Sequence, residues 1–351
     1  MKLSQFDFEL PEKNIAQNLG KNRDDCKLMV IHSKSEKIEH KRFGNLLEYF
    51  DSEDMMIFNN TQVFPAALIG IKEKTEAEIS VFLLRELNQE TKHWDVLVDP
   101  ARKIRVGNKL YFGEQQTMVA EVIDNTTSRG RTLRFLYDAP HDEFKQELFS
   151  YGKTKLPTYI KRPADSDDSD VYQTIYATEE GAVVAPFAGL HFSKELMKRL
   201  LIKNIDISYM TLHCSLSVFR SIDVEDLYKH KLDSEQMRIS DELAQKFNKK
   251  IAEGRKVCAV GTSTLRALET ASTIPGKIQE YNGWTNRFIF PPYNFQTANA
   301  LLSTFQMPKS TILMNQTAFG GYNLIMKAYE TAIKKNYKFG CFGDEMLIMN
   351  D

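Results

Sequence analysis

The chain has 351 residues, of which 42% are hydrophobic and 26% charged, and its net charge at pH 7 is −1. This composition is typical of a soluble globular protein, and the length suits two domains or one large domain with an insertion. The near-zero charge excludes a basic field over the whole surface, so binding of nucleic acid would need a local basic patch.

The first 65 residues predict a short entry segment, a helix near 43–50 and an apolar strand at 55–58. The strand runs into Asn59-Asn-Thr-Gln62. Polar residues directly after an apolar strand often mark a strand end that faces a site. An Asn-Asn pair is equally typical of a simple turn, and the spacing alone leaves both interpretations open.

From about residue 66 the pattern changes to short β-type runs separated by turn residues such as Pro100, Gly113 and Gly130. Runs of this length and spacing indicate a small barrel or sandwich. A helical stretch at 143–149 closes the region. The predicted strands are 79–84, 94–98, 109–112, 118–123 and 132–137.

After Gly152, helical patterns at 193–203, 241–253, 265–272 and 324–335 alternate with strand-like runs. These runs are 207–212, 257–260, 288–290 and 312–314. The alternation predicts an α/β domain. We therefore expect a discontinuous α/β domain, 1–65 plus 152–351, with an inserted small β-barrel domain at 66–151. Two sequential domains are the alternative.

The four cysteines are scattered and form no CxxC pair, which argues against a disulfide framework and against a metal or radical cluster. The N-terminus has no apolar signal region, and no apolar stretch approaches the length of a membrane span. We therefore expect a cytoplasmic protein with no membrane partner and no metal, and we expect a monomer.

The segment from Lys256 to Arg266 predicts a strand, a Gly-Thr-Ser-Thr turn and a helix. Gly261 permits a tight turn, and backbone N–H groups at such a helix start can hold an anion. Ordinary capping of one helix explains the same pattern. Likewise Lys309 and Ser310, after Pro308, offer an anion contact or form a turn into a strand.

Three histidines stand in patterns that suit a site. His191 follows the small residues of 185–190 and could act as an acid, base or donor near neutral pH. Strand alternation places His213 on one face with Thr211, from which His213 and Arg220 could meet a ligand. His230 stands near Glu235, where a hydrogen-bonding loop is more typical than a metal site. A structurally satisfied histidine is the alternative for the first two.

The residues of these runs and their order resemble those of the S-adenosylmethionine:tRNA ribosyltransferase-isomerase family from one end of the chain to the other. The runs that carry the resemblance are Phe6-Asp-Phe-Glu-Leu-Pro11, Asn59-Asn-Thr61, Leu156-Pro-Thr-Tyr-Ile-Lys-Arg162, Tyr172-Gln-Thr-Ile-Tyr176, Ala188-Gly-Leu-His-Phe192, Val260-Gly-Thr262, Pro308-Lys-Ser-Thr311 and Gly343-Asp-Glu-Met-Leu-Ile348.

The resemblance implies an α/β domain with an inserted β-barrel, and it implies a reaction. The ribosyl unit of S-adenosylmethionine is transferred to 7-aminomethyl-7-deazaguanine at the tRNA wobble position. There it rearranges to an epoxycyclopentane, with release of adenine and methionine, and gives epoxyqueuosine-tRNA. S-adenosylmethionine would be a co-substrate, and tRNA carrying the precursor base would be the partner.

The implied reaction needs a base, an acid for adenine, donors for the methionine carboxylate and cations for tRNA phosphates. Our catalytic candidates are His191, His213, Glu235 and Asp344, the last two as groups that could receive the base amine. Candidates that bind the co-substrate are Asn60, Thr61, Gly189, Gly261, Thr262, Ser263, Arg266, Lys309 and Ser310. Candidates that bind RNA are Arg102, Lys103, Arg105, Lys155, Lys161, Arg162 and Arg220.

At several positions expected near the binding site, the chain has a residue different from the one usual in the family. The departures are Gln62, Phe187, Ser215, Ser217, Asp233, Asn286 and Gln306. They remove reactive groups and add bulk at Phe187. The sequence therefore leaves open a family member that binds tRNA or a nucleoside without this catalysis, or one that acts on another acceptor.

Overall fold

A computed structural model describes residues 1–163, 167–216 and 222–350 of the chain. Contacts divide the chain into two units. The larger comprises Met1–Gln62, Pro157–Pro163 and Val171–Asp351, and the smaller comprises Val63–Leu156 and Ala164–Asp170. No helix among the described residues combines the length and apolar character that a bilayer crossing requires.

The strands mostly have seven residues or fewer, and the strand Glu78–Asn88 is longer, with 11 residues. They are β1 (Lys27–His32), β2 (Lys37–Arg42), β3 (Met55–Asn59), β4 (Thr61–Val63), β5 (Ala67–Lys72), β6 (Glu78–Asn88), β7 (His93–Asp99), β8 (Lys109–Phe112), β9 (Met118–Asp124), β10 (Gly130–Leu136), β11 (Glu179–Ala182), β12 (Asp206–Leu212), β13 (Glu235–Ile239), β14 (Val257–Val260), β15 (Ser272–Ile274), β16 (Lys277–Ile278), β17 (Tyr281–Thr285), β18 (Ala300–Thr304) and β19 (Glu345–Met349).

Three of the helices begin after a serine whose side chain satisfies a first-turn N–H group. Ser193, Ser240 and Ser310 each accept a hydrogen bond from a backbone N–H three residues later, which caps the helix that follows. The helices are α1 (His141–Ser150), α2 (Asp168–Val171), α3 (Lys194–Ile202), α4 (Asp241–Ala252), α5 (Thr262–Ala271), α6 (Thr311–Gly320) and α7 (Tyr322–Lys334).

The larger unit is built on one sheet, which over its described residues has nine strands in the order β17-β13-β12-β3-β14-β18-β19-β1-β2. Strand β3 runs parallel to β12 and β14, with Met55 opposite Asp206 on one side and opposite Val257 on the other. Every residue of β3 and of β14 is buried, because helices and loops cover both faces of the parallel strands.

The smaller unit is a closed antiparallel barrel, which over the residues described there has the strand order β10-β7-β6-β5-β8-β9. Buried and half-buried residues alternate along β8 and most of β9, as expected where one face of each strand points into a barrel. A Cβ atom at Gly70 would lie 2.9 Å from the Phe112 ring, so the interior needs glycine there. The expected α/β domain with an inserted small β-barrel is confirmed.

Three predicted elements differ from the structure. Residues 312–314, expected as a strand, lie in α6; this helix is buried on nearly all sides and so shows no helical period in its sequence. Residues 288–290 form no strand: the backbone of Arg287 is held by the side chains of Thr285 and Arg266, and two prolines follow. The helix expected near 43–50 is a 3₁₀ helix, Phe43–Tyr49.

Candidate active site

A cleft opens in the larger unit at the ends of β14 and β18, where α5 and α6 begin. Crevices beyond the carboxyl ends of parallel strands are the usual binding sites of α/β sheets. The lining residues are Val184, Ala185, Pro186, Phe187, Ala188, Cys214, Leu232, Gly261, Thr262, Ser263, Arg266, Phe288, Ile289, Ser303, Thr304, Thr311, Ile312 and Asn315.

The start of α5 forms one wall of the cleft. Gly261 precedes the helix with φ +91° and ψ 149°, a backbone conformation that side chains disfavour, and its N–H donates to Leu302 O at 2.8 Å. Because Gly261 has no side chain, it cannot accept a hydrogen bond from the first N–H groups of α5, and these groups have no side-chain cap. Thr262 and Ser263 follow directly, and this wall therefore offers backbone and hydroxyl donors to an anion.

Arg266 lines the same wall one turn later and is held from two sides. Its Nη2 donates to Glu235 Oε2 at 2.6 Å, and its Nε donates to Arg287 O at 3.0 Å. The second oxygen of Glu235 accepts from Ser215 N at 2.7 Å. Both oxygens of this buried carboxylate are therefore engaged, so Glu235 is placed to orient Arg266.

His213, Thr61 and Asn60 are brought together at the ends of β3 and β12. His213 Nδ1 lies 2.8 Å from Thr61 Oγ1, and Asn60 Oδ1 accepts from Thr211 Oγ1 at 2.8 Å. The imidazole lies against Gly181, where a Cβ atom would approach the ring within 2.7 Å. Burial lowers the pKa of His213, so its ring is neutral near pH 7 and can accept a proton.

Cys214 follows His213 and lines the cleft itself. Burial raises the pKa of its thiol to about 12. A thiolate is the nucleophilic form of cysteine, so the neutral thiol of Cys214 gives this wall an apolar contact.

His191 is buried beside a second ionisable group. Its Nδ1 lies 3.2 Å from Arg23 O, and its Nε2 lies 3.8 Å from Glu345 Oε1. Burial lowers the pKa of His191 to about 4 and raises that of Glu345 well above its ordinary value. At the nearby Gly189, a Cβ atom would overlap the Tyr176 hydroxyl. The residues that line the cleft include neither His191 nor Gly189.

Asp344 also lies outside the cleft lining. Its two oxygens accept backbone hydrogen bonds, from Lys27 N at 2.6 Å and from Lys338 N at 2.7 Å. Burial raises the pKa of this carboxyl group. The contacts make Asp344 a link between the start of β1 and the loop before β19.

Lys309 and Ser310 hold the start of α6 without lining the cleft. Lys309 Nζ lies 2.6 Å from Asp7 Oδ2, and Ser310 Oγ accepts from Leu313 N at 3.2 Å. The helix that they start carries Thr311, Ile312 and Asn315 into the cleft wall.

The smaller unit presents four of the basic candidates on its surface. Arg102, Lys103 and Arg105 are exposed around one 3₁₀ turn, and Lys155 is exposed with its Nζ 5.3 Å from the Phe82 ring centre. Three cations within four residues form a local basic patch of the kind that a nearly neutral chain needs to bind RNA.

The other basic candidates belong to the larger unit. Lys161 is exposed and lies 2.7 Å from Glu12 Oε1, while Arg162 Nε donates to Gln17 O at 3.1 Å. Arg220 lies outside the described residues.

The described positions at which the residue differs from the one usual in the family are spread over the larger unit. Phe187 lines the cleft and is 5% exposed, and Gln306 Nε2 donates to Thr304 Oγ1 at 2.6 Å. Ser215 donates its N–H to Glu235. Gln62 is half-buried, Asp233 and Asn286 are exposed, and Ser217 lies outside the described residues.

Sequence reasoning missed the contribution of α6 and of β18. Ser303 and Thr304 line the cleft, as does Asn315, which is 2% exposed. For α6, the signal in the sequence is the polar pair Asn315-Gln316 inside an apolar run, because buried polar side chains need a hydrogen-bond partner. Among the described residues, no group of three or more His, Cys, Asp or Glu is arranged to hold a metal ion.

Comparison with known proteins places the chain among one set of enzymes. The family described as "Queuosine biosynthesis protein" matches residues 3–348. Curated relatives named S-adenosylmethionine:tRNA ribosyltransferase-isomerase include that of Phocaeicola vulgatus, 58% identical over 100% of both chains, and that of Parabacteroides distasonis, 60% identical over 99% of this chain and 100% of the relative. A crystal structure of an S-adenosylmethionine tRNA ribosyltransferase from Thermotoga maritima is 30% identical, covers 98% of this chain and 100% of its own, and has a TM-score of 0.55.

Proposed function

The chain belongs to the queuosine biosynthesis protein family, and on that premise we propose that it is the transferase and isomerase that acts on S-adenosylmethionine and tRNA. It transfers the ribosyl unit of S-adenosylmethionine to 7-aminomethyl-7-deazaguanine at the tRNA wobble position. The unit is isomerised there, adenine and methionine leave, and the tRNA carries epoxyqueuosine. S-adenosylmethionine is a co-substrate, and tRNA is the partner.

The observation that carries the proposal is the wall at the start of α5, where Gly261, Thr262, Ser263 and Arg266 meet in the cleft. Backbone N–H groups at a helix start, hydroxyl groups and a guanidinium suit the carboxylate of methionine. Glu235 fixes the guanidinium of Arg266. A charge that is already positioned needs little reorganisation when the co-substrate binds.

We assign the base to His213. The reaction must remove a proton beside the sulfonium, and a neutral imidazole can take it. His213 is neutral near pH 7 and, although it is not itself a lining residue, it directly precedes Cys214 of the cleft wall, whereas His191 is packed against the buried Glu345. His191 and Asp344 are in this proposal positioning residues for the loop 187–192 and for β1.

We assign tRNA phosphate binding to Arg102, Lys103, Arg105 and Lys155 of the smaller unit, because all four are exposed cations and the first three are close in sequence. Lys161 and Arg162 remain candidates in the larger unit, as does Arg220. We further expect the protein to be a monomer and to be cytoplasmic, where its substrate tRNA is found.

The test is incubation with S-adenosylmethionine and tRNA that carries the precursor base, with adenine release and the modified nucleoside measured. Release that depends on this tRNA is expected. Tight tRNA binding without release would point instead to a binding protein, and release with another acceptor would point to a different substrate. If neither S-adenosylmethionine nor tRNA binds, the proposed function is wrong.

A further inference from the structure

Asn315 stands out among the polar side chains of the cleft wall because its carboxamide is buried and unpaired. The residue is 2% exposed, and neither Nδ2 nor Oδ1 has a hydrogen-bond partner among the described residues. Burying an amide without hydrogen-bond partners is unfavourable, because the amide loses its hydrogen bonds to water and gains none in exchange. A side chain of this kind, placed at a cleft, indicates a ligand that supplies both partners.

The neighbouring polar residues of α6 are, by contrast, paired within the fold. Gln316 Nε2 donates to Ser303 Oγ at 2.7 Å and to Thr304 O at 2.8 Å, and its Oε1 accepts from Tyr329 Oη at 2.6 Å. Thr317 Oγ1 donates to Met314 O at 2.8 Å. Asn315 differs from both in that it lines the cleft.

The cleft that Asn315 lines has apolar walls beside its polar ones. Phe187, Phe288, Ile289 and Ile312 line the same cleft. A cleft that combines aromatic and aliphatic walls with an unpaired carboxamide, which is both donor and acceptor, is complementary to a nucleobase, whose faces are apolar and whose edges carry donors and acceptors.

We propose that Asn315 binds the edge of a nucleobase in the cleft, with Oδ1 accepting from an N–H group of the base and Nδ2 donating to an adjacent acceptor. A carboxamide makes this paired contact to adenine in nucleic-acid complexes. The inference rests on the proposed function, which brings two such bases to the protein: the adenine of S-adenosylmethionine and the 7-deazaguanine of the tRNA.

The first experiment measures S-adenosylmethionine binding by calorimetry for the full chain, for Asn315→Leu and for a matched control, Thr317→Val. If adenine is the base, Asn315→Leu weakens binding about tenfold or more, which is the size of one or two hydrogen bonds. The control keeps the wild-type affinity. An analogue whose purine lacks the 6-amino group should bind more weakly than S-adenosylmethionine to wild type, and equally to Asn315→Leu.

The second experiment measures binding of an anticodon stem-loop RNA that carries 7-aminomethyl-7-deazaguanine. A tenfold loss for Asn315→Leu in this arm, with unchanged S-adenosylmethionine binding, identifies the tRNA base as the ligand. Unchanged affinity in both arms overturns the inference.

Thermal unfolding separates binding from a structural role. Replacing an unpaired buried amide by an apolar group of similar shape should leave the melting temperature equal or higher. A lower melting temperature with both affinities unchanged would make Asn315 structural and would overturn the inference.

If wild type binds S-adenosylmethionine through Asn315 but releases no adenine, the proposed reaction fails and the inference stands. If wild type binds neither ligand, both fail.

Discussion

Arg266 and Glu235 are joined by a hydrogen bond of 2.6 Å between Nη2 and Oε2 at the wall of the cleft. The arginine comes from the first turns of α5 and the glutamate from the first residue of β13. Since Glu235 also accepts from Ser215 N, and Arg266 also donates to Arg287 O, the pair is held on both sides. The cleft therefore contains a cation whose position is set before any ligand arrives.

Arg266→Gln should weaken S-adenosylmethionine binding by about 10- to 100-fold, because a charge-assisted hydrogen bond to a carboxylate contributes roughly 1.5–3 kcal/mol. Calorimetry measures the change. Arg238→Gln, at an exposed arginine of β13, is the matched control and should leave the affinity unchanged. Equal affinities for wild type and Arg266→Gln would remove Arg266 from the proposed site.

Gly261→Ala should impair both folding and binding, because a side chain at φ +91° is strained. We expect a loss of about 1–3 kcal/mol in the free energy of unfolding, and weaker S-adenosylmethionine binding as the start of α5 shifts. Gly254→Ala is the control: its φ is +70°, and a Cβ atom there meets no atom within 4 Å. The control should lose comparable stability and retain affinity; if both variants lose affinity alike, the effect is not specific to the cleft.

His213→Gln should lower kcat by about 100-fold or more if His213 is the base, while the amide of Gln keeps a hydrogen bond to Thr61 within reach. Because burial lowers the pKa of His213, the acid limb of the wild-type kcat profile should lie below the ordinary histidine value. His32→Gln, in β1, should leave the profile unchanged. A wild-type kcat in His213→Gln would assign the base elsewhere.

Glu345→Gln should make the protein more stable, by a margin that grows as pH rises above about 4.5. Burial, with Asp344 adding to it, raises the pKa of Glu345, so over that window the folded chain binds a proton that the unfolded chain releases. The contribution of Glu345 to the free energy of unfolding therefore falls with rising pH, by up to about 1.4 kcal/mol per pH unit, and Gln removes this contribution.

The neighbouring His191 should not obscure that comparison. Its pKa is lowered to about 4, so its protonation in the unfolded chain makes stability rise with pH between about 4 and 6.5 in wild type and variant alike. Denaturant unfolding at several pH values measures the difference. The exposed Glu242→Gln is the control, and a Glu345→Gln margin that does not change with pH would contradict the prediction.

Replacing Arg102, Lys103 and Arg105 together by Gln should weaken tRNA binding and reduce its salt dependence. Each lost phosphate contact lowers the magnitude of the slope of log K against log salt by about 0.7–0.9, so a total of about 2.1–2.7 is expected for three contacts. Binding at several salt concentrations measures it. The same charge change at the exposed Lys194, Lys198 and Arg199 of α3 is the control, and equal slopes for both triple variants would move the RNA contact elsewhere.

Local patterns in the sequence predicted most of the elements. Short β-type runs separated by turn residues marked the strands of the barrel, and the Gly261 turn marked the start of α5. The prediction failed for α6, because this helix is buried on nearly every side and its apolar run carries no helical period. That failure also hid Asn315, which the same helix places in the cleft.

The sequence by itself determined the family, the α/β fold with its barrel and the Gly261 turn that starts α5, because these follow from ordered motifs and from local backbone preferences. Only the tertiary structure decided that Arg266 is held by Glu235, that His191 is packed against Glu345 outside the cleft lining, and that Asn315 lies within it. Such relationships depend on how elements distant in sequence pack together, and packing decides which polar side chains find a partner and which are left for a ligand.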